Sequence, residues 1–426
     1  MKPTTPSLAT PRRQRVSRAP IAAVSLAVLA LVAACGGGGG STASSPSATT
    51  PGTVTASASY SQGAIAGFGS VIVNGVRWDD STATITDDDG NRRSASDLKL
   101  GMSVEVEGGS VDRAAATASG TTPTGKASKI SFGAELQGPV AALDATAGTF
   151  TLLGRTVLVT SSTVFDSTLT GGLAALTAGA VVEVHGLYDA TAQQLVATRI
   201  EAKPAATAYK LRGTVAALDT TAKTFKLGTE TISYANLTEV PSTLANGLAV
   251  KVRLQTTQVA GAWVATKLRA AKSSVSDGTS VEVQGLISVF TSATSFEING
   301  LKIDASSASF DYSDTAGIAL GSRVEVEGSL VAGVLVATKV SVEDSKPRGG
   351  GKDKGVKALE LHGTVSALNT TAKTFTLRGL TVSYASSTLV WKDGGEAKLA
   401  DGVKLEVKGA LSSDGTQVVA SKIEFE

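Results

Sequence analysis

The stretch GTVSALNTTAKTFTL, residues 363–377, has a near twin in GTVAALDTTAKTFKL, residues 213–227, and 12 of the 15 aligned positions are identical. The likeness continues into TISYA at 231–235 and TVSYA at 381–385. Looser copies open at Gly63 (GAIAGFGSVIVNG), Gly138 (GPVAALDATAGTFTL) and Gly285 (GLISVFTSATSFEING). The opening glycines Gly63, Gly138, Gly213, Gly285 and Gly363 lie 75, 75, 72 and 78 residues apart. The chain is therefore a tandem array of about five versions of one unit. A solenoid unit runs to roughly 20–50 residues, so a unit this long can close a core of its own.

Copy five shows the strand pattern best. Glu360–Leu368 reads as a first strand, Asn369–Lys373 as a turn, and Thr374–Leu377 with Leu380–Tyr384 as a hairpin around Arg378-Gly379. Leu399–Gly402 fits one helical turn or a tight loop. Val403, Leu405 and Val407 then alternate with Lys404, Glu406 and Lys408, placing the aliphatics inward. Ser413–Gly415 turns the chain into a fifth strand, Gln417–Phe425. Fourth strands recur as VEVEG at 104–108, VEVHG at 182–186 and VEVEG at 324–328, and fifth strands as LVATRI, WVATKL and LVATKV. Aromatic residues make up only 4% and there are 46 glycines, which favours short strands and tight turns.

The expected fold is all-β, a tandem array of about five small five-stranded barrels. Five strands with a helical turn only between the third and fourth resemble the Greek-key barrel of the OB fold; a β-sandwich is the second arrangement compatible with the pattern. The expected organisation is a signal peptide at 1–34, a lipidated cysteine and tether at 35–59, and repeats at 60–132, 133–204, 205–273, 274–345 and 358–426. A basic glycine-rich linker at 346–357 is expected to hinge copy five from copy four. Ala114–Lys126 reads as a long loop before the last strand of copy one.

The N-terminus supplies an address. Arg12–Arg18 is a basic region, and Ile21–Ala34 is apolar except for Ser25. Fourteen residues are too few for a span of about 20 and suit a secretory signal. It ends Val32-Ala33-Ala34-Cys35, which resembles a bacterial lipobox, with Cys35 as the lipidation site. An ordinary secretory signal with an incidental cysteine is the alternative. Cys35 is the one cysteine in the sequence, so no internal disulfide forms. Acyl chains on one residue anchor a protein stably without a spanning helix. Gly36 after the cysteine leans toward the outer membrane, on its periplasmic or surface face. Residues 1–34 hold five of the 39 basic residues and no acid, so the remainder carries 34 basic against 37 acidic residues. A mildly acidic product is a poor collector of phosphate backbones, and nucleic acid is not an expected partner.

The search for reactive chemistry yields little. His185 and His362 read as outward, solvated positions on strands, and no Ser-His-Asp, Cys-His or zinc pattern is present. Asp87, Asp89 and Asn91 fit the first ligands of a calcium loop, but Arg92 and Leu98 stand where that loop needs Gly and Glu. The plainer reading is an Asp-Gly hairpin turn. Glu105/Glu107 and Glu325/Glu327 read as solvated strand faces. Phe150, Phe225, Phe296 and Phe375 share one repeat position and are expected in the cores, whereas Trp78, Trp263 and Trp391 share none.

GFGSVIVNGVRWDDSTATI, from Gly67, with DLKLGMSVEVEG from Asp97, resembles a bacterial domain of unknown function that recurs in tandem in lipoproteins and is described as OB-like. The resemblance spans about residues 60–426. Copy three departs from it at Val250-Lys-Val-Arg-Leu254. It implies an OB-like fold in the cell envelope and carries over no catalytic motif and no cofactor. The expectation is a non-enzymatic envelope lipoprotein with membrane contact through its anchor, presenting barrels to other envelope components; the alternative is a glycan or small-ligand module.

Overall fold

A computed structural model describes residues 58–111, 113, 116, 122–189, 192–271, 275–312, 317–344 and 359–426. The expected signal peptide, Cys35, most of the expected tether, most of the loop before copy one's last strand and the 346–357 segment lie outside the described residues. The described part forms one compact unit.

Each copy is a closed five-stranded circuit. In copy one, Ser59–Phe68 pairs antiparallel with Val71–Val73, which pairs with Val76–Asp79. That third strand runs parallel to the fifth, Thr124–Phe132. The fifth pairs antiparallel with the fourth, Ser103–Gly108, and the fourth returns to the first. The order 1-2-3-5-4-1 with a parallel closing pair is that of the OB barrel. Copy two closes the same way from Leu136 to Ala202, copy three from Tyr209 to Ala270, copy four from Ser280 to Asp344. Copy five closes likewise from Leu359 to Phe425, its first strand broken into 359–364 and 366–369. The barrel is thus the arrangement found, rather than the sandwich.

Two sequence signals explain the circuit. Second and third strands meet at two-residue turns with both residues left-handed: Asn74-Gly75, Leu153-Gly154, Asn299-Gly300 and Arg378-Gly379. Such turns match the twist of a hairpin. The glycine ending the fourth-strand motif sits at a bulge, where the register slips at Glu107/Gly108, His185/Gly186, Glu327/Gly328 and Lys408/Gly409. A Cβ there would run into a carbonyl oxygen of the fifth strand, of Lys126, Val196, Val336 and Val419 respectively. Copy three has buried Leu254 instead and slips twice, at Arg253/Leu254 and Leu254/Gln258, yet still closes at Ala260-Gly261.

Some local expectations need correction. Of the two forms open for Leu399–Gly402, the tight turn is found, and the helical turn lies just ahead of it as a 3₁₀ turn at Glu396–Lys398. Short extra strands, Thr84–Asp87, Val164–Phe165, Ser309–Tyr312 and Val390–Lys392, run parallel to the fifth strands and lengthen the barrel walls. Their two to four residues are too few for alternation to register.

Copies adjacent in sequence are not simply adjacent in space. The start of copy one's first strand lies parallel to copy four's first strand, Ser59–Gln62 against Ser280–Val283. Its end lies parallel to copy five's, Gly67–Phe68 against Glu360–Leu361. Copies two and three also join through first strands, Gln137 with Lys210. Copy one thus contacts all the others, and copy five is seated on it, not hinged away from the array. The buried side chains form three clusters: copies one and five with Val164 of copy two, copies two and three, and copy four with Tyr60 of copy one. Phe150, Phe225, Phe296 and Phe375 are all in these cores.

That packing overturns one group of readings. His185 does point out of its own barrel, but copy one covers it and it is fully buried. Glu325 is buried as well, and Glu327 and His362 are half-buried. Outward means solvated only where no neighbour sits, and here the outward faces are the seams. Glu107 does face solvent.

Candidate functional site

A densely charged junction forms where copies one, two and three meet. It begins at a hairpin tip. Ile85 and Thr86 pair with Arg93 and Arg92, and Asp87 N–H donates to Asn91 O at 3.0 Å, closing the Asp-Gly turn. The Asp87 carboxylate accepts the N–H groups of Asp89 and Asn91 at 3.0 and 2.9 Å, and the Arg93 guanidinium at 2.9 and 2.6 Å. Burial would raise this carboxyl, but Asn91 and Arg93 hold it down at about 2.

With Asp87 tied inward, Asp88 and Asp89 project onto copy three. Lys210 Nζ lies 3.0 Å from Asp88 Oδ1. Arg253 and Lys267 lie 2.9 and 3.4 Å from the Asp89 carboxylate. Arg269 donates to Asp88 O at 2.6 Å and Lys267 to Asp89 O at 3.2 Å. Of the candidate calcium ligands, the structure brings Asp87 and Asn91 together, with the Asn91 amide donating to Asp87 at 3.0 Å, and turns Asp89 toward cations.

Copy three meets this tip with a basic face. Antiparallel register sets Lys210 opposite Arg253 and Arg253 opposite Lys267, and likewise Arg212, Lys251 and Arg269 in the next row. The departure at Lys251 and Arg253, noted in the sequence, is what makes this face basic. From copy two, Glu135 accepts Arg212 at 2.7 Å and lies 3.9 Å from Lys251. Arg212 and Lys251 hold the Glu135 carboxyl below its ordinary range, against its burial. Between these groups lies a cavity of about 480 Å³, also lined by Glu105, Gln284 and Asn299.

The seam between copies one and two continues from there. Ser103 N–H donates to His185 Nδ1 at 3.2 Å, and Glu183 Oε1 lies 3.4 Å from His185 Nε2. Arg199 donates to Leu100 O at 3.1 Å and to Glu201 at 2.5 Å, and Lys203 to Glu201 at 2.7 Å. Against the effect of burial, His185, Lys210 and Lys203 bring Glu183 down to about 2.

Two clusters of potential metal ligands lie at the other seams, each with donor atoms within 4.8 Å. One is Glu360, His362 and Glu406, where copy five meets Arg77 of copy one. His362 Nδ1 lies 2.7 Å from Glu426 and Nε2 lies 3.0 Å from Glu360. The other is Glu282, Glu325 and Glu327 in copy four, facing Arg113 and Ser61 of copy one. Both clusters already hold a guanidinium, so their built-in chemistry is charge pairing between barrels.

The tryptophans divide. Trp78 is buried in the core of copy one. Trp263 packs edge-on against Tyr209 at 5.7 Å and donates to Glu230 at 2.7 Å. Trp391 is half-buried, stacked on Phe425 at 6.1 Å and edge-on to Tyr384 at 6.2 Å.

Sequence reasoning missed Lys210, Arg212, Lys267 and Arg269 as a group. Their signal was present in copy three's alternation of Lys and Arg at outward positions, but it takes the fold to put three strands side by side.

Five linked OB-type barrels joined through charged seams define a tandem β-barrel protein. The domain of unknown function DUF5666 matches residues 52–116, 137–201, 212–269, 273–341 and 362–424, and the chain belongs to that family. No curated protein matches it in sequence. Among solved structures, drosophila Unr CSD456 aligns over 52% of this chain and 98% of its own at 16% identity, with a TM-score of 0.13. A likeness at that score says nothing about shared architecture or ligand.

Proposed function

We propose that this chain is a non-enzymatic, lipid-anchored protein of the bacterial cell envelope whose five barrels act as one folded-back platform for structural or protein-interaction roles. The observation that supports it most is the use of the charged strand faces. Glu183, His185, Arg199, Glu201, Glu282 and Glu325 point out of their own barrels yet are buried at seams. Buried pairs of this kind add little net stability but penalise wrong partners, so they suit fixing one arrangement of barrels. The envelope address rests on the leader and on Cys35.

A second reading, an envelope glycan or small-ligand module, draws on the Trp391–Phe425–Tyr384 group in copy five. Aromatic faces of this kind stack on flat apolar surfaces of a ligand.

The test is fractionation and protease treatment of intact cells, with Cys35→Ala beside the parent chain. The platform reading expects the parent in the membrane fraction and the variant released, with the barrels intact in both. A variant that stays lipidated and membrane-bound would refute the anchor. Barrels shaved from intact cells would face outward and favour ligand capture; barrels protected until the outer membrane is opened would be periplasmic and favour the platform.

A further inference from the structure

We infer that the cavity between copies one, two and three is a binding site for a small oxyanion, the phosphate or carboxylate group of a soluble ligand, held by Lys251 and Arg269. The inference is independent of the envelope reading.

It rests on register. Residues directly opposite on antiparallel strands stand roughly 4.5–5.5 Å apart, and like charges so placed repel. Copy three has two such rows of three cations. The first, Lys210, Arg253 and Lys267, is answered by the carboxylates of Asp88 and Asp89. The second, Arg212, Lys251 and Arg269, is answered among the described residues by one carboxylate. Glu135 sits close on Arg212, at 2.7 Å, and 3.9 Å from Lys251. Among the described residues, Arg269 has only the neutral carbonyl of Asp88. Glu105 lines the same cavity but forms no ion pair with any of the six. With Asp87 and Lys129, which also line it, the cavity wall carries seven cations and five carboxylates.

Lys251, which shares Glu135 with the closer Arg212, and Arg269 are also positioned. Lys251 and Arg269 are register partners whose side chains line the cavity. An oxyanion between them would receive an ammonium and a guanidinium, both charge-assisted donors. At about 480 Å³ the cavity suits a sugar-sized ligand. Copies one, two, four and five carry carboxylates at two, one, two and one of the matching fourth-strand positions, Glu105/Glu107, Glu183, Glu325/Glu327 and Glu406, whereas copy three has Lys251 and Arg253, so this face is peculiar to copy three.

The experiment is calorimetric titration of the whole chain with inorganic phosphate and, separately, galacturonate, at fixed ionic strength. Saturable binding of at least one is expected, weakened at least tenfold in Lys251→Gln/Arg269→Gln. The charge-conserving Lys251→Arg/Arg269→Lys and the distant exposed Lys226→Gln should bind like the parent. Phosphate binding alone assigns a phosphorylated ligand; galacturonate binding assigns an acidic sugar. Saturation by neither anion overturns the inference, as does a Gln double variant that binds as tightly as the parent. Thermal melting guards the variants: removing two opposed cations should leave the melting temperature equal or higher, so lost binding with an unchanged melt belongs to the site.

Discussion

Glu282 lies on the seam between copies one and four with its side chain 3% exposed. One oxygen takes Arg113 at 2.5 Å and Ser61 at 3.1 Å; the other has no partner. Burial pushes this carboxyl up to about 9, and Glu325 and Glu327 add to the push. Arg113 pulls the other way, but it is shared with Glu327 at 3.4 Å and does not win. Between the unfolded value near 4.5 and about 9, the folded chain holds the extra proton, so stability falls as pH rises through that window. Glu282→Gln should flatten this slope in chemical denaturation run from pH 5 to 9, gaining on the order of 1–3 kcal/mol at the alkaline end. Glu183 behaves oppositely. Its value of about 2 means that the unfolded chain binds the proton first as pH drops. Its contribution is whole above about 4.5 and vanishes toward pH 2. In Glu183→Gln the acid-side slope of stability between pH 4.5 and 2 should be shallower; an unchanged slope would contradict the assignment.

At the scale of the strand, the bulge glycines carry the closest backbone approaches in the barrel. Gly328→Ala would drive a methyl group into Val336 O and Ala337 Cα. Overpacking against backbone costs about 1–3 kcal/mol, and the loss should appear in copy four as faster amide exchange along 323–331 and 334–344. Strands and turns were legible because they follow local rules: alternation for the fourth strands, X-Gly for the hairpins, Gly for the bulge. The candidate site was legible only in halves. Asp87–Asp89 read as a turn, and Val250–Leu254 as a departure, but nothing local says that Lys210 sits 122 residues from Asp88 in sequence and 3.0 Å from it in space. His185 fails for the same reason, since period-two alternation separates a strand's faces without saying what covers the outer one.

For the molecule as a whole, five repeats reduce to three cores. Copies two and three share theirs, from Leu136 to Leu268. Phe225→Ala, emptying a position 1% exposed, should cost roughly 3–5 kcal/mol. Calorimetry with exchange mass spectrometry should show copies two and three melting earlier together while copy four, with its own cluster, holds its transition. A shift confined to copy three would mean the barrels unfold as five beads.

Copy one's first strand has a further consequence, which concerns time. Its edges are completed by Ser280–Val283 and Glu360–Leu361, and Ser61 reaches Glu282 across 221 residues. A ribosome adding about 5–20 residues each second finishes copy one many seconds before either partner exists. For that interval the earliest barrel presents an open strand edge, the kind of surface that recruits other chains. Maturation therefore runs backward along the polypeptide: the first barrel made is the last to be sealed. Any stall or nick ahead of the final barrel leaves the hub, rather than the tail, as the part that aggregates.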